Sequence, residues 1–355
     1  MTRGRVATTR RAERLARAVI VGGVLLLAHV PAQARRVVVQ PTPIAPAPGL
    51  DSALASAQPG DTILLRPGLY RGCYDLHRGV SIIGVAGPDS TILDAAGGEY
   101  VLSGRGLDST TVIARLTLQN GRRSHANSGG GGIYLYESSP VILNNVFRDH
   151  LGYLGSGIYT NYGCRPVIAF NVLHDNEGYL GGAIAAYEGC APLVYNNVIH
   201  DNRAVSGGAI LCLNSAPVVL HNTMVGNVAK SKSGAGIYCD SSPALVEANV
   251  LAFNGEGGAV YWLDDDRPAT LRRNLLWQNT AGDRGGACPE FVGRDGNRRE
   301  DPGFPDLPAR RLWRAPAAGG APPAGAAAWD RRSIPSVPDS VLAAWRAWRR
   351  AQASR

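Results

Sequence analysis

The 355-residue chain is poor in charge, with 18% Asp, Glu, Lys and Arg, and it contains two lysines, Lys230 and Lys232, two methionines and five phenylalanines. It has no apolar run of the roughly 20 residues that a membrane-spanning helix needs. Heptads are absent, and so is glycine at every third position. These absences exclude a spanning helix, a coiled coil and a collagen-like rod. No GxxxxGK[ST] loop occurs, and none of the six cysteines has zinc-finger spacing. What is present is 45% hydrophobic residues, alongside 44 glycines and 23 prolines. That composition suits a large core whose chain turns at short intervals.

The net charge of +8 is unevenly spread. Residues 1–34 contribute +5, residues 35–307 contribute −4, and the segment from Pro308 onward contributes +7. A mildly acidic body with basic ends argues against nucleic acid as the partner. The first segment reads as a secretory signal. Arg3, Arg5, Arg10, Arg11, Arg14 and Arg17 precede an apolar run from Ala18 to Ala28, and Ala32-Gln33-Ala34 supplies a small-x-small cleavage site. The expected mature start is Arg35, giving a secreted, periplasmic or cell-surface protein without a lipid anchor.

An internal repeat decides the architecture. Six segments superpose: GGGIYLY from Gly130, GSGIYTN from Gly155, GGAIAAY from Gly181, GGAILCL from Gly207, GAGIYCD from Gly234 and GGAVYWL from Gly257. Prolines recur at Pro140, Pro166, Pro192, Pro217, Pro243 and Pro268. One asparagine column runs Asn145, Asn171, Asn197, Asn222, Asn249, Asn274, and a second runs Asn176, Asn202, Asn227, Asn254, Asn279. Neighbours in a column are 25 to 27 residues apart. Runs of three to five β-branched and aromatic residues, broken by Gly, Pro, Asn and Asp, fit one rung of a strand solenoid and not a helical repeat. Alternation places Ile210 and Cys212 in the core and Leu211 and Leu213 outside. Stacked Asn amides both donate and accept, so they can satisfy a buried turn without water.

NNVFRDH, FNVLHDN, YNNVIHDN and HNTMVGN resemble the rungs of right-handed parallel β-helix proteins of the pectate-lyase-like superfamily. Upstream, LDSALASAQPGDTILLRPGLYRG is similar to the opening of exported bacterial β-helix proteins, in which a short helix caps the first rung. Here Asp51 would be its N-cap, with Leu50, Leu54 and Ala57 packed on the rod's end. The expected fold is thus all-β: one right-handed parallel β-helix with a short N-terminal capping helix and a C-terminal tail helix. Its parts are a signal peptide (1–34), a Pro-rich linker (35–48), the β-helix (49–306) and a basic low-complexity tail (307–355). Two irregular rungs and six regular ones at ~4.8 Å each give a monomeric rod about 40 Å long.

For function, the resemblance implies a polysaccharide or cell-envelope polymer as partner and leaves binding, catalysis and a structural surface role open. The outward column after the Gly turns offers Tyr134, Tyr159, Tyr238 and Tyr261, with Tyr187 in the adjacent column, as a sugar platform. Plain cross-strand stacking explains the same tyrosines. Asp240, Asp264, Asp265 and Asp266 with Arg267 form the candidate catalytic cluster of a lyase or hydrolase of acidic polysaccharide. Such carboxylates can raise one another's pKa or hold Ca²⁺, the one cofactor considered; otherwise none is expected. Glu137 and Glu188, two rungs apart, are a weaker acid pair. Of the Asn-x-Asp, paired Asp, Gly-His-Gly and Arg-x-Lys motifs of polygalacturonase-like enzymes, only Asp265-Asp266 has a counterpart. The Lys base of pectate-lyase-like enzymes would have to be replaced by Arg165 or Arg267. His174 and His200 beside Asp175 and Asp201 admit a transition-metal reading and a solvated-turn reading.

Cys164 and Cys190 share a turn column on adjacent rungs, and export would permit a disulfide between them. Cys212 and Cys239 stack inward, while Cys73 and Cys288 lie toward opposite ends. In the tail, PDSVLAAWRAWRRAQ reads as a helix from about Ser340 with Trp345 and Trp348 on one face. It serves either to cap the rod or to dock on an anionic surface.

Overall fold

The computed structural model describes residues 34–41, 49–123, 129–264, 266–308, 312 and 337–353. The segment expected to be a signal peptide lies outside them up to Gln33, as do most of the low-complexity tail, Asp265 and residues 124–128.

Every rung is built from short strands that hydrogen-bond in parallel to the rungs above and below. One repeat shows the pattern: Val167–Ala169 in sheet I, Val172–His174 in sheet II, Glu177–Leu180 in sheet III and Ile184–Tyr187 in sheet IV. Among the described residues, sheets I and II have ten strands each, sheet III five and sheet IV nine. The result is a parallel solenoid of about ten turns, two more than the periodicity predicts. One extra rung comes from Arg36–Val39, which the sequence reading assigned to the linker. It pairs in register with Thr62–Leu65, and Arg35 closes on the buried Asp61 at 2.7 Å. The β-helix therefore begins at Arg36. Helix α1 (Leu50–Ser56) then buries Leu50, Ala53 and Leu54 against this end. Gly49, not Asp51, is its N-cap, and no side chain caps the helix.

Tight corners join the strands, and most corners outside the sheet III to sheet IV turn use a non-glycine residue in the left-handed region. Between sheets I and II these include Arg115, Asn144, Phe170, Asn196, His221, Ala248 and Arg273; before sheet III they include Asp149, Asp175 and Asp201; after sheet IV they include Glu137, Tyr162, Glu188, Asn214 and Ser241. Such backbone is disfavoured for L-residues. From Asn144 onward, the asparagine immediately after the first of these corners holds it. Asn197 Nδ2 donates to Ile168 O at 2.9 Å and to Asn222 Oδ1 at 2.9 Å, while Asn197 Oδ1 accepts from Asn171 N and Asn171 Nδ2. The ladder continues past Asn274 to Asn297, one step beyond the repeat read from sequence.

The interior is a single stack headed by Phe147, with Ile133, Leu135, Ile142, Ile168 and Leu173 fully buried. The outer faces are covered as well. Helix α2 (Asp339–Ala353) lies on sheet I, burying Leu342 and Trp345 against a layer that includes Leu193, Val218 and Leu245; Trp345 Nε1 donates to Ala191 O at 3.0 Å. This is a flank position, not an end cap. Phe304, Leu307 and Leu312 cover sheet II over Val225, Val250 and Leu275. Runs such as PVIL, PVIA and PLVY lack polar alternation because both faces of those strands are buried.

Candidate functional site

Tyr134, Tyr159, Ala185, Leu211, Tyr238 and Tyr261 are register partners down sheet IV, as the repeat predicts. Their surroundings differ from the expected open platform. Tyr159 is 3% exposed and Tyr187 9% exposed, packed with Leu154, Ala185 and Leu211. Tyr134 and Tyr238 are half-buried at the margin of that layer, and Tyr261 is half-buried beside Tyr238. Sheet III is the reason. Its strands end in a glycine turn, so that Leu154 and Leu180 fold back over sheet IV. At Gly155 the backbone has φ +55°, and a Cβ there would sit 2.7 Å from Ile158 O. Burial raises the Tyr159 and Tyr187 phenols far above their usual pKa. These two rings hold the layer together and present no face to a ligand.

The accessible rings stand beside this layer. Tyr153 and Tyr179, on neighbouring strands of sheet III, stack with centroids 4.8 Å apart and planes at 14°, and Tyr179 is 47% exposed. At the corner after sheet IV, Tyr136 and Tyr162 lie 4.8 Å apart, and Tyr162 is 53% exposed. Arg105 lies 4.5 Å from the Tyr136 ring centre and pairs with Glu137 at 3.6 Å. The Tyr153/Tyr179 pair has a sequence signal of its own, the recurring Gly-Tyr-Leu at 152–154 and 178–180, which lies outside the sheet IV column.

The acidic cluster is partly assembled. Ser241 Oγ lies 3.2 Å from both Asp240 Oδ1 and Asp264 Oδ2, bridging carboxylates of successive rungs. Partial burial raises the Asp240 pKa, and the nearby Asp264 charge adds to the shift. Asp265 lies outside the described residues. Asp266 is exposed at the turn, and Arg267 lines a groove against α2. Among the described residues, no group of three His, Cys, Asp or Glu side chains is placed to hold a metal ion. His174 and His200 stack 5.0 Å apart at 1°, and their Nδ1 atoms meet Asp175 and Asp201 at 2.6 and 2.8 Å. The Asp residues occupy left-handed corner positions and the following Asn residues occupy the ladder, so the repeated His-Asp-Asn is a turn. Glu137 and Glu188 occupy the same corner column two rungs apart.

Cys164 and Cys190 are adjacent as expected, but both are free thiols. They belong to a corner column in which a backbone N–H donates to the side chain one rung on at four steps: Leu107 to Ser138 Oγ, Ser138 to Cys164 Sγ, Cys164 to Cys190 Sγ, and Ser215 to Ser242 Oγ. Cysteine here stands where serine stands on other rungs.

The family model described as "Right handed beta helix region" matches residues 89–283, more than half of the chain. A search of curated proteins finds no match. Among solved structures, pectin methylesterase from carrot is 14% identical, with 75% of this chain and 88% of that one covered and a TM-score of 0.44. The pectin methylesterase from Aspergillus niger is 10% identical over 76% and 91%, with a TM-score of 0.41. The PL6 family alginate lyase AlyGC is 12% identical over 75% and 53%, with a TM-score of 0.26. With strand order, corner ladders and matched residues in agreement, the chain belongs to the right-handed β-helix family.

Proposed function

We propose that this protein binds polysaccharide along the flank formed by sheet III and the adjoining corner of sheet IV, and that it works outside the cytoplasm. The observation that carries the reading is the Tyr153/Tyr179 stack, with Tyr179 open to solvent and both rings fixed on paired strands. A ring held by a sheet loses little entropy on binding, and its face covers the C–H face of a pyranose while its hydroxyl stays wet. Tyr136 and Tyr162, with Arg105 against the first ring, add a second contact area. The basic and apolar character of residues 1–34 supports export. Calorimetric titration with a panel of neutral and acidic polysaccharides tests the reading: Tyr179→Ala should weaken binding without changing the far-ultraviolet spectrum.

A second reading is catalysis at Asp240 and Asp264. The Ser241 bridge favours it, because two carboxyl groups joined through one hydroxyl, with the pKa of Asp240 raised by partial burial, have the arrangement of an acid–base pair. This reading requires polysaccharide turnover that Asp240→Asn abolishes.

A further inference from the structure

We propose that helix α2 completes a second binding site, a groove for a linear carboxylated polysaccharide chain lying parallel to the rod axis. The groove has a volume of about 360 Å³ and runs between α2 and the corner that joins sheet IV to sheet I. Arg165 and Arg267 come from the corner, Arg346 and Arg350 come from the helix, and Asn214 and Pro243 lie between them. Among the described residues, no carboxylate is in the lining. Two acids adjoin lining residues in sequence, Asp266 beside Arg267 and Glu188 beside Gly189, and Glu188 accepts from Asn214 Nδ2 at 3.3 Å. Among the described residues, Arg165 makes its one side-chain bond to Gly163 O at 2.6 Å, which fixes the guanidinium without neutralising it.

The position of α2 is set by apolar contacts unrelated to charge. Leu342 and Trp345 are buried on sheet I, and the Trp345 bond to Ala191 O anchors the helix at the corner. Positions 346 and 350, one turn apart on the helix, are thereby held over the groove. Arg165 precedes Val167–Ala169 and Arg267 precedes Thr270–Arg272, strands separated by four steps in sheet I. At ~4.8 Å per step the two arginines are about 19 Å apart along the axis. That spacing is too long for one small anion to bridge and suits a chain bearing an acid group on successive units. Guanidinium forks match carboxylates bidentately. Among the described residues the lining contains no aromatic ring on which bases could stack, which disfavours single-stranded nucleic acid, the other linear polyanion.

The test uses the full chain and fluorescence anisotropy, with a labelled octameric oligouronate, the monomeric uronate, a neutral oligosaccharide of equal length and a single-stranded octanucleotide. The octameric uronate should bind at least tenfold tighter than the monomer or the neutral chain, and its affinity should fall as salt rises. Arg267→Gln with Arg346→Gln should weaken it at least tenfold at unchanged melting temperature, and the corresponding Lys pair should restore part of the loss. Tyr179→Ala, run in parallel, should leave this binding intact, so failure of the tyrosine site and failure of the groove are read separately. Octamer binding unaffected by the arginine pair overturns the proposal, as does absence of octamer binding. Equal or tighter binding of the octanucleotide that the same pair removes overturns it in favour of nucleic acid.

Discussion

Asn197 Oδ1 accepts two hydrogen bonds from Asn171, one from the main-chain nitrogen at 2.9 Å and one from the side-chain nitrogen at 3.0 Å. The same residue donates through Nδ2 to Ile168 O and to Asn222. Asn197→Ala removes four buried hydrogen bonds at once and takes from Asn171 N its side-chain acceptor. With unsatisfied groups costing about 1–3 kcal/mol each and partial relaxation, a loss of about 3–5 kcal/mol is expected by denaturant titration. Asn197→Asp should be comparably damaging, because a carboxylate accepts but cannot donate to Ile168 O.

His150 begins the second ladder in place of an asparagine. Its Nδ1 accepts from Gly121 N at 3.1 Å, and its buried Nε2 has no partner. Burial lowers its pKa to about 3. The unfolded chain takes up the proton near pH 6.5 and the folded one does not. Stability is therefore complete above about pH 6.5 and falls by about 1.4 kcal/mol per pH unit as acid is added down toward pH 3. His150→Asn offers an amide to Gly121 N and Asn176, so it should remove this component of the slope. Melting temperatures from pH 7 to pH 4 measure the difference between the two proteins.

Trp345→Ala removes the buried anchor of α2. Large-to-small changes of this kind cost about 3–5 kcal/mol when the whole fold feels them. Because α2 docks on an otherwise complete solenoid, the cost is expected to fall on the helix alone. Hydrogen exchange should accelerate through residues 339–353 while the Asn-ladder amides keep their protection.

Two tyrosines separate packing from binding. Tyr159 is enclosed by Leu154 and Ala185, so Tyr159→Ala should destabilise the rod by about 3 kcal/mol or more. Tyr179 is open, and its removal should cost the fold less than about 1 kcal/mol.

Solenoid class, strand phase and ladder asparagines were legible because each rung repeats the same local problem. Ile210 and Cys212 face inward and Leu211 outward, as alternation requires. What the repeat could not show is what covers each outer face. Tyr159 and Leu211 are outward yet buried because sheet III turns back over them, and that return depends on Gly155 and Gly181, which the repeat displays only as a glycine column. Val218 and Leu245 were equally ambiguous, since their cover is a helix about a hundred residues away in sequence. Of the acidic cluster, the Asp240 to Asp264 proximity followed from the register, whereas the Ser241 bridge depends on side-chain orientation at a left-handed corner.

Hydroxyl-radical footprinting tests the binding claim most directly, with the full chain and the tightest-binding member of the polysaccharide panel at saturation. The account predicts that oxidation of Tyr179 and Tyr162 is suppressed at least threefold, while an exposed tryptic peptide far from the flank, such as that containing Asp301 and Pro302, is unchanged. Equal oxidation of Tyr179 and Tyr162 with and without polysaccharide, or no binding by any member of the panel, would contradict it.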